Sequence, residues 1–240
     1  MKQVIALTRE VCRDGLEKDY GIQVGKTILE NVKKGFLAND EITHTLMYTV
    51  AGTDARMNGS GCPTVGNTGS GSQGHIASAA PIAAGAYRGC SEEEITRAVA
   101  FANLLNIFMD YKTKEFSHLS PMCYCGTVAA VAGAGGVAYL HHFTEQQTEE
   151  FLNSALGILP GVICDGASKP LCALRVYTGL SGALHMMLIS ERGFRIQGFE
   201  GLVNDSLEVT LDNLHRLQRN CLSHVNEVLF EIKNEQGNMI

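Results

Sequence analysis

Met122-Cys-Tyr-Cys-Gly126, the run Thr127-Val-Ala-Ala-Val-Ala-Gly-Ala-Gly-Gly-Val-Ala-Tyr139, and then Cys164-Asp-Gly-Ala-Ser-Lys-Pro-Leu-Cys172 form the stretch on which the fold turns. The middle run is uncharged and lacks the alternation of a half-buried strand, which predicts a small-residue helix from about Cys125 to Leu140. Four of the eight cysteines lie here, both pairs at breaks in apolar, helix-length runs, where side chains can converge. Grouped thiolates suit a soft metal or an iron–sulfur cluster. Neither C-x-C nor C-x7-C is a zinc-finger spacing, and spacing alone leaves a plain core role open. The neighbours favour ligation. Cys164 and Cys172 flank an Asp-Gly loop and Pro170, and Cys172 falls in the first turn of a helix, whose free N–H groups stabilise anionic sulfur. Cys12, Cys62, Cys90 and Cys221 lack such a setting and read as structural.

The rest of the chain also reads as helices. Apolar positions at helical spacing mark residues 2–18 and 22–32, and Asn39-Asp-Glu-Ile opens a helix expected to stop at Asp54-Ala-Arg-Met-Asn58. Gly59–Gly74 holds six glycines and a proline in sixteen residues, which predicts an irregular loop feeding a helix over His75–Tyr87. Ser91–Glu94 and Thr144–Gln147 are capping boxes that start the next helices, and Pro170 is placed for the first turn of another. Two further helices are expected near 203–219 and 222–233, then a polar tail at 234–240. No strand pattern and no repeat is evident. The expected fold is mostly α, one domain over residues 1–240.

At 240 residues with net charge −6, the chain can bury a sizeable core and offers no basic stripe for nucleic acid. The N-terminus lacks a signal-peptide pattern, and no apolar run is read as reaching the roughly 18 residues of a membrane span. A cytoplasmic protein is expected, its cysteines reduced rather than paired.

Backbone N–H groups around Gly69, Gly71 and Gly74, ahead of a helix N-terminus, make a cradle for a carboxylate or phosphate, with side chains from Asn67, Ser70, Ser72 and Gln73. It is neither a P-loop nor a dinucleotide fingerprint. Asp54 and Arg56 could orient a substrate or pair with each other. His75, beside the loop, and His118, before the first cysteine pair, read individually as structural or solvated. Asp165 reads as a helix cap.

Together, Asp54-Ala-Arg-Met, Asn67-Thr-Gly-Ser-Gly-Ser-Gln-Gly74, Leu119-Ser-Pro-Met-Cys-Tyr-Cys125 and Ile163-Cys-Asp-Gly-Ala-Ser168 with Cys172-Ala-Leu-Arg-Val176 resemble the L-cysteine desulfidase family. That family is related to the α, catalytic part of iron–sulfur L-serine dehydratases. The resemblance implies a helical domain holding a [4Fe–4S] cluster on three cysteines, with the fourth iron position open for substrate. It implies α,β-elimination of L-cysteine to pyruvate, ammonia and sulfide, or of L-serine to pyruvate and ammonia. Carried over, the ligands are Cys164, Cys172 and Cys123, with Cys125 the alternative to Cys123. The glycine loop, through Asn67, Ser70, Gly71, Ser72 and Gln73, would hold the amino acid. Family members also carry an N-terminal half with a Cys-Thr-Glu-Pro motif whose cysteine is the base. This chain has no such motif, which leaves open a fragment, one gene of a split pair whose second subunit supplies that half, or a shortened homologue, and an apolar surface left bare would favour a homo-oligomer. Gly71-Ser-Gln-Gly74 replaces the family's Gly-Asn-Gln-Gly, and one extra residue separates Cys164 from Cys172. The rival readings are a non-catalytic or regulatory remnant of the same fold and a structural zinc protein.

Overall fold

The computed structural model describes residues 1–113, 121–165 and 169–237. Among the described residues ten α-helices run in the order α1 Lys2–Glu17, α2 Val24–Lys33, α3 Glu41–Met57, α4 Gly71–Arg88, α5 Glu92–Thr113, α6 Val128–Leu140, α7 Glu145–Ile158, α8 Lys169–Glu191, α9 Leu207–Leu217 and α10 Val225–Gly237. A π-helical turn, Gln218–Leu222, joins the last two. Among the described residues there is no strand, only two isolated bridges, Asn67 with Ser70 and Met122 with Ile163. The mostly α expectation is met.

The small-residue run becomes α6, buried along its length except at Tyr139. A helix apolar on every side has to be enclosed, and α4, α5, α7 and α8 pack around it. Its glycines set how closely they can come. A Cβ at Gly136 would lie 2.9 Å from the Ala102 Cβ and 3.0 Å from the Ala98 carbonyl oxygen, so α5 and α6 touch nearly backbone to backbone. Pro81 sits inside α4 without ending it, its ring against the same glycine. Tight packing here outweighs proline's usual helix-breaking effect.

Local signals hold at the helix starts. Asp40 caps α3 by accepting from Thr43 N–H at 2.7 Å. The Ser91 box is closed by Ser91 N–H to Glu94 at 2.8 Å and Glu94 N–H to Ser91 Oγ at 3.3 Å, and Thr144 with Gln147 closes the other.

Several boundaries differ from expectation. α3 continues through Asp54–Met57, and α4 starts at Gly71, because Ser70 caps it by accepting from Gln73 N–H at 3.3 Å. Gly71–Gly74 are therefore a helical first turn, not loop. The glycine at 74 is demanded by packing: a Cβ there would lie 2.2 Å from the Val65 carbonyl oxygen. α6 starts only at Val128, since residues 124–127 form turns. Residues 234–237 belong to α10 and are not tail. Pro170 lies in the first turn of α8 as expected. By length and composition Pro170–Glu191 could cross a membrane, contrary to the sequence reading. It packs on α3, α6 and α7, burying Ala173, Val176, Leu180 and Leu184, as a core helix does. His118, Leu119, Ser120 and Gly166–Ser168 lie outside the described residues.

Candidate active site

Two separate chain segments meet at the cysteines. The bridge between Met122 and Ile163 is closed by Cys123 N–H to Val162 O at 2.7 Å and Cys164 N–H to Pro121 O at 2.8 Å. Cys123 and Cys164 are thereby neighbours although forty-one positions separate them. The Thr127 hydroxyl donates to the Cys123 carbonyl at 2.7 Å, and Tyr124 O accepts from Ala129 N–H at 2.8 Å, fixing the turn that carries the pair into α6. Tyr124 is anchored in turn by Gln218 of the π-helical turn at 3.3 Å, and Gln218 also donates to the Thr113 carbonyl at 3.2 Å. Such π turns recur at functional sites.

Helix α8 closes the third side. A Cβ at Gly179 would lie 1.7 Å from the Gly126 carbonyl oxygen, so α8 rests on the turn by backbone contact. This lays the first turn of α8, with Cys172, beside the pair.

The Cys123 thiol shares hydrogen bonds with the thiols of Cys125 and Cys164. Its pKa is pushed up to about 12, first by the Cys125 hydrogen bond and then by burial, while the Cys164 contact lowers it. The Cys172 thiol is pushed up by burial, and it feels the charges of Arg175, Cys164, Asp165 and Arg56. Arg175 pairs with Asp165 at 2.7 Å, and its own charge is reinforced by Cys123 and Cys164. Asp165 is thus a partner of Arg175, and its backbone carbonyl also accepts from Lys233 of α10, while the cap expected of it falls on residues 166–168, outside the described residues. None of the eight cysteines is in a disulfide.

The glycine loop ends against the same region. Thr68 and Gly69 both have positive φ, +50° and +79°, in a tight turn closed by Asn67 N–H to Ser70 O at 3.0 Å and Ser70 N–H to Asn67 O at 2.9 Å. Positive φ on a β-branched residue is strained, a feature concentrated at functional sites. Arg56 Nη1 donates to Ser72 Oγ at 2.6 Å, and a Cβ at Gly71 would lie 2.7 Å from the guanidinium. Arg56 Nε is buried without an acceptor. A guanidinium and a helix N-terminus therefore converge within electrostatic reach of Cys172.

Of the loop residues, Gly71 and Ser72 face this spot half-buried, whereas Asn67, Ser70 and Gln73 are engaged internally. Asp54 and Arg56 form no pair with each other. Asp54 is 1% exposed, accepts from Gly25 N–H at 3.2 Å, and its pKa rises to about 6 through burial. His75 is buried against Thr49 O at 3.0 Å, and burial lowers its pKa to about 4. Both are enclosed by the core. Sequence reasoning passed over Asn103 and Asn106, which hydrogen-bond to Asn67, and Asp110, which accepts from Gln73. Their spacing of three and four along α5 was the available signal.

Among the described residues no three His, Cys, Asp or Glu side chains form a ready-made metal group. The donor chemistry nonetheless fits a sulfur-bound centre. Thiols crowd together, Cys123 touches two others, Cys172 lies within electrostatic range, and the Arg175 guanidinium offsets thiolate charge. A surface hollow of about 400 Å³ between Ser91, Arg97 and Phe143 is lined by none of these groups.

Comparison with known proteins gives the chain's family. A "UPF0597 protein" of Dichelobacter nodosus is 32% identical over 232 residues, 97% of this chain and 52% of that protein. Those of Oleidesulfovibrio alaskensis and Shewanella pealeana are each 34% identical, covering 94% and 91% of this chain and 52% and 49% of their own lengths. The chain thus spans about half the length of these relatives. No solved structure matches it. The serine dehydratase alpha chain family matches residues 1–231, and with the match running across nearly every helix described above, the chain belongs to that family.

Proposed function

We propose that this chain provides the catalytic centre for iron–sulfur-dependent α,β-elimination of a small amino acid, L-cysteine or L-serine. The observation that carries this reading is the meeting of Cys123, Cys125 and Cys164, with Cys172 in electrostatic range, beside Arg56 and the N-terminus of α4. Cys123, Cys164 and Cys172 would hold a [4Fe–4S] cluster, with Cys125 the alternative to Cys123. A bound cluster supplies an open iron, a Lewis acid that weakens the bond to the departing sulfur or oxygen.

The chain's own residues do the rest. Arg56, Ser72 and the free N–H groups of α4 orient the substrate carboxylate, whose charge suits a guanidinium and a helix N-terminus. Arg175, fixed by Asp165, offsets negative charge on the thiolates. Burial of Cys123 limits water at the sulfurs. A base must take the α-proton, and a second subunit carrying the Cys-Thr-Glu-Pro segment would bring it. Elimination then leaves an enamine that tautomerises and hydrolyses to pyruvate and ammonia. Reduced thiols suit a cytoplasmic setting. The exposed row Leu104, Ile107 and Tyr111 on α5 supports self-association, which sedimentation of Ile107→Lys against wild type would test.

The deciding experiment is anaerobic reconstitution with iron and sulfide. A broad brown absorbance is expected, lost in Cys164→Ser, with pyruvate formed from L-cysteine or L-serine on adding the partner segment. A full cluster without pyruvate under those conditions would favour the remnant reading. Zinc in place of iron in protein isolated anaerobically would favour the structural metal site.

A further inference from the structure

The turn that carries Cys123 and Cys125 is gripped by a residue ninety-odd positions away. Tyr124, between the two cysteines, sends its ring into the core, where it is 8% exposed and belongs to the same apolar cluster as Leu211 and Leu214 of α9. Its hydroxyl oxygen lies 3.3 Å from both Oε1 and Nε2 of Gln218. The Thr113 carbonyl only accepts, so Nε2 is the atom that faces it at 3.2 Å, and Oε1 is left to accept from the phenol. Thr113 is held a second time, by His215 Nδ1 at 3.1 Å, which carries the proton it gives to a carbonyl.

Gln218 reaches this place because it continues the buried face of α9. Leu207, Leu211, Leu214 and Gln218 recur at helical spacing, and Leu211 and Leu214 are 0% and 1% exposed. An amide on an apolar stripe is costly unless it is bonded, and here its bonds run to the end of α5 and to the cysteine turn. The widened π-helical turn opens at this same residue, and α10 beyond it has no buried residue.

We propose that Gln218 is a positioning residue that, by holding Tyr124, sets Cys123 rather than Cys125 against Cys164, an inference that rests on the cluster site proposed above and deepens it. The Cys123 thiol meets both other thiols and is 6% exposed, whereas Cys125 is half-buried. The two cysteines stand on either side of Tyr124, so a rotation of the turn about that residue exchanges which of them lies deeper. Thr127 and Ala129 tie the turn's backbone to α6, and the bond from Gln218 to the phenol opposes the rotation.

The test reads the thiols themselves, in the whole chain before iron is added. Limited alkylation with iodoacetamide after phosphine reduction, followed by peptide mass spectrometry, ranks the cysteines by access. In the wild type Cys125 should react on the order of tenfold faster than Cys123. In Gln218→Leu, where Thr113 keeps its bond to His215, the ratio should fall to about two, while Cys12, 0% exposed, stays as slow as before. Tyr124→Phe lacks only the hydroxyl, should show the same fall, and decides if Gln218→Leu does not fold. Equal rates for the pair in the wild type, a ratio unchanged in the variants, or Cys12 speeding up together with Cys123 in Tyr124→Phe would overturn the positioning role and leave Gln218 a plain core contact. Anaerobic reconstitution of the wild type separates this from the cluster reading. No iron bound despite the expected alkylation pattern would overturn the cluster and leave the hold on the turn standing. Iron bound with a ratio indifferent to both variants would overturn the positioning role alone.

Discussion

Asp54 shows how a polar residue beside the active region can serve the fold rather than the chemistry. Its carboxylate receives the first N–H groups of α2, a favourable arrangement, yet burial dominates and lifts its pKa from 3.8 to about 6. A carboxyl raised in the folded state keeps a proton that the unfolded chain has already lost. Its stabilising contribution is complete below pH 3.8 and disappears as pH rises through about 6. That loss amounts to roughly 3 kcal/mol. Urea unfolding at pH 4 and pH 7 should therefore show a fall in stability that is smaller by about this amount in Asp54→Asn, whose amide oxygen can still accept from Gly25. An identical pH slope in the two proteins would refute the assignment. Arg56, two residues on and equally polar in sequence, faces the other way, to Ser72. Arg56→Met should raise the KM for the amino acid at least tenfold with cluster content unchanged, read by iron analysis beside the kinetics.

Among the helices, contacts between backbones set the architecture, and small residues make them possible. The sharpest contrast is inside α8. A Cβ at Gly179 would meet the Gly126 carbonyl oxygen at 1.7 Å, whereas at Gly182 its nearest neighbour would be 3.4 Å away. Gly179→Ala should cost about 3 kcal/mol or more in urea unfolding and lower the iron bound on reconstitution, because α8 must move off the cysteine turn. Gly182→Ala should be neutral or stabilise by up to about 1 kcal/mol, the ordinary gain of alanine over glycine in a helix. Helix existence and caps were readable because capping boxes and apolar periodicity are local. The start of α4 was not. Its glycine-rich first turn looks like loop by propensity, and the close approaches of Val65 to Gly74 and of Arg56 to Gly71 explain why glycines stand inside a helix there.

Across the molecule, stability is uneven. α6 is enclosed by four neighbouring helices, while α10 has no buried residue. Amide hydrogen exchange should reach the global unfolding limit in α6 and be complete within minutes in α10, a gap of several kcal/mol in opening free energy. Comparable protection in the two helices would mean that α10 is packed against something in solution, a second copy or the rest of a longer protein. The composition and periodicity of the chain were sufficient for an α-helical bundle and for a grouping of thiols, since hydrophobic burial and turn chemistry act through near neighbours. Which thiols touch, that Asp165 turns to Arg175, and that Asn67 and Gln73 join Asn106 and Asp110 followed only from the packing. Those contacts link positions tens of residues apart. Their energies depend on which backbones can approach, and no local pattern encodes that.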